Sequence, residues 1–162
     1  MAAGTYPSGF GQATACAYYW IGIVLDVVSI DDARAWAFDL IALQDTPPIA
    51  IIELAMAGDR TAVLDALQSA SVGADQPAAG RRLLADVLRV LQAGERAAID
   101  AILIAMRIIR ATDLPDSAYR DFEQLDELFQ WTANGPDGPA RELHLEVIRA
   151  LEDCMGTVGG SL

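Results

Sequence analysis

Hydrophobic and polar residues follow one another along most of this chain with the spacing of amphipathic helices. Apolar positions recur at intervals of three and four residues, which places them on one side of a helix and leaves the other side polar. Capping residues, prolines and glycines bound these segments. The predicted helices cover residues 17–28, 30–44, 49–57, 60–71, 78–92, 95–111, 115–133 and 140–155. The pattern predicts an all-α protein of about seven to eight helices, arranged as an antiparallel helical stack or an irregular orthogonal bundle.

The first predicted helix is the one ambiguous element. Residues 17–28 are rich in aromatic and β-branched side chains, which would also suit a buried strand. No second strand pattern offers itself for pairing, and the segment leads directly into a helix start in which Ser29 is followed three residues later by Asp32. This spacing is a variant of the capping box. We therefore expect a helix here as well.

Two prolines mark a corner between two apolar runs. Thr46 is a candidate cap, and Pro47 and Pro48 suit a first helical turn that needs no N–H donors. The short helix that follows is apolar on nearly every side, so it is predicted to be buried, with Glu53 at least half buried at its solvent edge. A structural role for Glu53 is favoured over a chemical one, because no second carboxylate or histidine is placed to act with it as an acid and base pair.

A faint repeat links two helix starts. Similar stretches begin at Ala57 and Ala93, a spacing of 36 residues, which is the length of a helical hairpin repeat. In both, a glycine ends one helix and an acid plus an arginine begin the next. The same capping arrangement reached twice independently explains most of the match, so repeat ancestry is the less favoured interpretation.

Length and composition add an expectation about domains. The chain has 162 residues, the usual size of one domain, and we expect a single helical domain over 1–162 with flexible ends at 1–13 and 156–162. Hydrophobic residues make up 53% of the chain and the mean hydropathy is +0.28. These values are more typical of a protein that covers extra apolar surface, so a homo-oligomer or another partner contact is expected.

Charge narrows the class of partner. Eleven basic residues, all arginine, stand against 23 Asp and Glu, giving a net charge of −12 and a pI near 4.2. Nucleic acid and anionic membrane surfaces are disfavoured, because both require clustered positive charge. A basic protein partner is favoured, although acidity also serves solubility alone.

Few residues carry recognisable chemistry. Cys16 and Cys154 lie far apart and His144 is the single histidine, so neither a zinc site, a cofactor nor a disulfide framework is predicted. His144 falls on the boundary of the apolar face of the last helix and is expected to be a packed or rim residue rather than a catalytic one. The N-terminal region lacks a basic segment ahead of its apolar stretch, which ends at Asp26 and is too short to span a membrane. A cytoplasmic location is expected.

Two sets of residues are candidates for partner binding. The first is an acidic group on the seventh predicted helix, formed by Asp121, Glu123, Asp126 and Glu127. The second is a stripe on the second helix, where an aromatic residue is flanked by acids, formed by Asp32, Trp36 and Asp39. Tryptophan often dominates protein interfaces. The alternative for each set is an ordinary solvated face or a tryptophan packed at the core edge.

A resemblance gives these candidates a context. Residues 29–57, about a fifth of the chain, resemble a pattern in uncharacterised bacterial helical proteins: a Trp-Ala pair, an Asp, a Pro-Pro corner and an apolar Ile-Glu-Leu run. In size, acidity and lack of catalytic motifs the protein is similar to immunity proteins of bacterial toxin systems. That resemblance implies a non-catalytic inhibitor that binds a basic toxin, but it carries over no individual residue.

Two further functions stay open beside this one. The first is a helical adaptor or scaffold that self-associates through its apolar surface. The second is an enzyme that depends on carboxylates, which is the least favoured because the spacing of its acidic residues shows no acid, base or nucleophile arrangement.

Overall fold

The computed structural model describes residues 9–133 and 141–156, and the regular structure in these two ranges is entirely α-helical. The eight helices are α1 (Gln12–Val24), α2 (Ile30–Leu43), α3 (Ile49–Met56), α4 (Arg60–Ala70), α5 (Gln76–Gln92), α6 (Ala98–Ala111), α7 (Asp116–Ala133) and α8 (Arg141–Gly156). This confirms the all-α prediction, including the helical interpretation of the first segment. Residues 1–8, 134–140 and 157–162 lie outside the described residues, and with them most of the ends predicted to be flexible.

Side-chain caps begin several helices where the sequence indicates them. The Ser29 hydroxyl accepts a hydrogen bond from the Asp32 N–H at 3.1 Å, and the Asp32 carboxylate accepts one from the Ser29 N–H at 3.4 Å, so the predicted capping box is present. Asp59 caps α4 by accepting from the Ala62 N–H at 2.8 Å. These three bonds satisfy backbone donors that have no partner within the helix.

Among the described helices, α1, α5 and α6 are each followed, two residues after their last residue, by a residue with left-handed backbone. These residues are Asp26 (φ 56°), Gly94 (φ 73°) and Asp113 (φ 53°). In each case the following N–H donates to a carbonyl five residues earlier, the hydrogen-bond pattern of a Schellman motif. Glycine occupies only one of the three positions, although L-residues other than glycine are disfavoured in this conformation.

The chain divides into two compact units, Met1–Ala79 and Gly80–Leu162, and the division falls within α5. We refer to them as the N-terminal unit and the C-terminal unit. The first carries nine acidic residues and two arginines, a net charge of −7, and the second carries 14 acidic residues and nine arginines, a net charge of −5. The prediction of a single domain stays a prediction that unfolding experiments must test.

In the N-terminal unit, α2 packs on α3, while α4 packs on both α1 and α3. The Tyr19 ring of α1 lies 5.1 Å from the Trp36 ring of α2, centroid to centroid. Two polar contacts join distant parts of the chain: Arg60 Nη2 donates to the Ile23 carbonyl at 2.9 Å, and the Asp75 N–H donates to Thr14 Oγ1 at 2.9 Å. Packing and hydrogen bonds thus connect helices that are remote in sequence.

The short helix α3 departs from its prediction. Ile51, Leu54 and Ala55 are buried, but three other large apolar side chains on the helix are exposed. Glu53 is also exposed, so the half-buried position predicted for it is wrong. The prediction that α3 is buried on nearly all sides is wrong as well, because neighbouring helices cover only one of its faces. The helix begins at Ile49 after Pro48, so both prolines precede it rather than form its first turn.

In the C-terminal unit, α6, α7 and α8 pack on one another. The spacing in α7 predicts an inner line of Ala118, Phe122, Leu125 and Phe129, of which the last three are buried and Ala118 is half-buried. The spacing in α8 predicts burial of Leu143, Val147, Leu151 and Cys154, of which the first three are buried and Cys154 is half-buried. The solvent-facing charged residues of α6 and α7 largely determine which side of each helix is buried, because an unpaired charge is costly to bury.

The two copies of the faint repeat are not structurally equivalent. In the first copy α4 begins directly after Asp59, whereas in the second copy α6 begins at Ala98, three residues after Glu95. Gly94 adopts a positive φ, and Gly58 is not among the positive-φ glycines of the described residues. The similarity therefore reflects two different helix junctions.

Candidate interaction surfaces

The four acidic residues predicted on α7 lie in different surroundings. Asp121 lines a small cavity beside Asp153 and Cys154 of α8. Glu123 borders a cavity at the other side of the α7 N-terminus, and Glu127 lies along an open groove with Trp131. Glu123 and Glu127 are one helical turn apart, so they are neighbours on the helix surface. The structure therefore brings these two carboxylates together and separates Asp121 from them.

Asp126 is the least accessible member of the set. It is half-buried, and its Oδ1 atom is shielded from solvent without a hydrogen-bond partner among the residues that the structure describes. The residue lies beside the buried stripe of Phe122 and Phe129 rather than on the outer side of α7. Its carboxylate is thus poorly placed to meet a partner directly.

Trp131 is the feature of α7 that the sequence analysis missed. Its side chain is 85% exposed, and Leu128, one turn earlier, is 50% exposed. Both border the same groove as Gln124 and Glu127, and none of the described residues that line it is basic. The helical spacing that turns Phe122 inward also turns Trp131 outward, so the sequence did contain the signal. An exposed tryptophan beside a carboxylate is the combination that the sequence predicted on α2.

Glu123 has a different electrostatic environment from Glu127. It borders a cavity of about 380 Å³ with two arginines, Arg110 and Arg120, and with the carboxylates of Asp113 and Asp116. The Arg110 guanidinium lies 4.2 Å from the centre of the Tyr119 ring, a cation–π contact that holds it near this cavity. The N-terminal half of α7 is therefore mixed in charge, and the part from Glu123 to Trp131 is its anionic part.

The second predicted set, on α2, does not form one surface. Asp32 and Asp39 are exposed, and Asp32 is engaged in the capping box. Trp36 is only 7% exposed and packs against Tyr19. Of the two interpretations of Trp36, packing in the core is the one that its position supports. Little of its side chain remains for contact with a partner.

A stripe of exposed apolar side chains follows α3. Ile49 is 75% exposed, Ile52 41% and Met56 71%. Their spacing of three and four residues places them on one side of the helix, opposite Ile51, Leu54 and Ala55. Glu53 is exposed at the edge of these apolar side chains, four residues after Ile49 and three before Met56, and we call the four residues the α3 stripe (Ile49, Ile52, Glu53 and Met56).

Neither cysteine forms a disulfide within the described residues, and both thiols have low reactivity. Burial raises the pKa of Cys16 to about 12. Burial, followed by the negative charges of Asp121 and Asp153, raises the pKa of Cys154 to about 11. Both thiols therefore stay protonated at neutral pH, and the thiolate is the nucleophilic form. His144 is half-buried on α8.

The described residues contain neither a candidate metal-binding cluster nor a candidate membrane-spanning helix. In 9–133 and 141–156, no group of three or more His, Cys, Asp and Glu residues is arranged to hold a metal ion. None of the helices in these ranges combines the length and apolar character that a membrane crossing requires.

Comparisons with known proteins supply no relative. No family model, no curated protein and no solved structure matches this chain.

Proposed function

We propose that this protein is a non-catalytic protein-binding module, an immunity- or antitoxin-like inhibitor that neutralises a basic bacterial toxin through the outer surface of α7. The observation that carries the proposal is the exposed Trp131 beside Leu128 and Glu127, with a second exposed carboxylate, Glu123, one helical turn before Glu127. We call these four residues the α7 surface. The net charge of −12 supports a basic partner.

The α7 surface combines the two kinds of residue that binding requires. Carboxylates attract a basic protein over a distance and raise the rate of association, an effect that salt screens with a Debye length of about 8 Å at physiological ionic strength. An exposed tryptophan supplies a large apolar area that becomes buried in the complex and slows dissociation. The first contribution acts on the association rate and the second on the dissociation rate.

The test uses the product of the neighbouring gene, which the proposal expects to be a basic, toxin-like protein, with binding followed by surface plasmon resonance at low and high salt. The double variant Glu123→Arg/Glu127→Arg should slow association at low salt by about tenfold or more. The matched control is Glu95→Arg/Glu152→Arg, which changes the net charge equally at exposed positions elsewhere in the C-terminal unit. This control should slow association much less.

Trp131→Ala should raise the dissociation rate while leaving association nearly unchanged, because loss of an interface tryptophan often weakens binding by about 2 kcal/mol or more. Thermal unfolding of the free variant should match the parent, since the side chain is 85% exposed. Equal association rates for the two charge-reversed variants, together with unchanged dissociation of Trp131→Ala, would show that α7 is only a solvated face.

A further inference from the structure

The α3 stripe is a second surface, independent of α7. We propose that it is the docking site for an amphipathic helical segment of another protein, and that this segment places an Arg or Lys opposite Glu53. Besides Glu53, the stripe consists of three large apolar side chains with exposures of 75%, 41% and 71%, arranged along one face of a single helix.

Packing among the described residues, 9–133 and 141–156, does not account for these three side chains. The opposite face of α3, formed by Ile51, Leu54 and Ala55, is the buried one, and α3 packs on α2 and α4. Exposed apolar residues scattered singly are ordinary, but a contiguous apolar patch indicates a binding surface. A partner helix that lays its own apolar side along the stripe would bury residues spaced three and four apart, the usual geometry of such recognition.

Charge argues against a second copy of this protein as the occupant. A symmetric contact sets the same surface of both copies against each other. Pairing two α3 stripes in antiparallel orientation would bring their midpoints together, and along the helix axis Glu53 lies near the midpoint, between Ile49 and Met56. Two carboxylates would then face each other in a partly dehydrated contact, which is unfavourable.

The other charges of the N-terminal unit also argue against a second copy as the occupant. The N-terminal unit has nine acidic residues and only two arginines. One of these, Arg60, donates to the Ile23 carbonyl at 2.9 Å and lies 4.0 Å from Asp26. A second copy would bring few positive charges to Glu53, whereas a basic amphipathic segment would supply them. Charge complementarity therefore selects a basic partner.

The probes for the test are two synthetic amphipathic helical peptides labelled with fluorescein. Both carry a stripe of leucines, flanked by arginines in the basic peptide and by glutamates in the acidic peptide. Fluorescence anisotropy with the full chain should show tighter binding of the basic peptide. Glu53→Arg should weaken binding of the basic peptide by about tenfold and strengthen binding of the acidic one, because it reverses the central charge.

The apolar contribution is tested by Ile49→Ser/Met56→Ser, which should weaken binding of the basic peptide by about tenfold or more. Val72→Ser is the matched control, since Val72 is 83% exposed but lies outside the stripe, and it should bind as the parent does. Circular dichroism should show all variants folded, because the altered side chains are exposed.

Three results would overturn the proposal. The first is equal or absent binding of the two peptides. The second is a dimer at neutral pH, detected by analytical ultracentrifugation, that Ile49→Ser/Met56→Ser dissociates, which would identify a second copy as the occupant. The third is co-sedimentation with phosphatidylcholine vesicles that the same double variant abolishes, which would identify a lipid surface.

Discussion

The two units differ in how their helices distribute charge. In the C-terminal unit, nine arginines and 14 acidic residues leave each of α6, α7 and α8 with a clear apolar side, and these sides are buried. In the N-terminal unit, α1 and α3 carry almost no charge. One of them, α1, is buried along nearly its whole length, and the other exposes three large apolar side chains.

This difference shows what a charged side contributes to a helix. A charged residue directs its side of the helix to water, because burial without a partner costs several kcal/mol. A helix without charges has no such constraint, so its exposure depends on how many neighbours reach it. The four predictions below use pairs of positions to test this distinction, beginning with the largest expected effect.

The largest effect is expected for the two tryptophans that occupy opposite environments. Trp36→Ala should lower the free energy of unfolding by about 3–5 kcal/mol, because it leaves a cavity beside Tyr19, whereas Trp131→Ala should change it by less than about 0.5 kcal/mol. Denaturant unfolding followed by far-UV circular dichroism measures both.

The same experiment tests the prediction of a single domain. If the whole chain unfolds as one cooperative domain, Trp36→Ala should shift the entire transition to lower denaturant concentration. If only part of the helical signal shifts, the N-terminal unit unfolds separately and the single-domain prediction is wrong.

Substitutions on the two faces of α3 should differ by nearly as much in their effect on the free energy of unfolding. Leu54 is 1% exposed, so Leu54→Ala should lower the free energy of unfolding by about 2–5 kcal/mol. Met56 is 71% exposed, so Met56→Ala should lower it by less than about 0.5 kcal/mol. Thermal and denaturant unfolding provide the comparison, and similar losses from both variants would contradict the one-sided burial of α3.

Replacing Gly80 of α5 by alanine should have a smaller effect on the free energy of unfolding, with a sign opposite to the usual one for this substitution in a helix. Alanine normally stabilises a helix interior relative to glycine by about 0.5–1 kcal/mol. At Gly80, however, a Cβ atom would overlap Thr112 Oγ1 and lie 2.7 Å from Thr112 Cβ. Gly80→Ala should therefore lower the free energy of unfolding by about 1–3 kcal/mol.

The control for this variant is Gly58→Ala, where a Cβ atom would meet nothing within 4 Å. Differential scanning calorimetry should show a lower transition temperature for Gly80→Ala than for the control. A higher one would mean that α5 does not approach Thr112 so closely.

The smallest effects are expected at the two aspartates with left-handed backbone, one in each unit. Asp113→Gly should raise the free energy of unfolding by less than about 1 kcal/mol, because relief of strain exceeds the extra chain entropy of glycine only slightly. Asp26→Gly should gain less, since it also removes the carboxylate 4.0 Å from Arg60. Chemical denaturation measures both, and a loss of stability at Asp113 would show that its carboxylate has a stabilising contact.

Sequence reasoning succeeded where local chemistry decides the outcome. The Ser29 capping box and the inner lines of α7 and α8 follow from residue types and spacing alone. It failed at Glu53 and at the outer side of α3, because eight consecutive residues with one charge do not indicate which side neighbours will cover. The helical spacing that predicts an inward position for Phe122 also predicts an outward position for Trp131, although Trp131 was not among the predicted binding residues.

The sequence by itself determined that this protein is helical, where most of its helices begin and end, and that it is strongly acidic. These properties depend on contacts within a few residues and on composition. Only the tertiary structure decided that Trp36 is packed against Tyr19, that Trp131 lies in solvent, and that α3 exposes an apolar stripe. The physical reason is that burial is a property of pairs of elements: α3 is covered by α2 and α4 on one side. No pattern within α3 records the positions of those two helices.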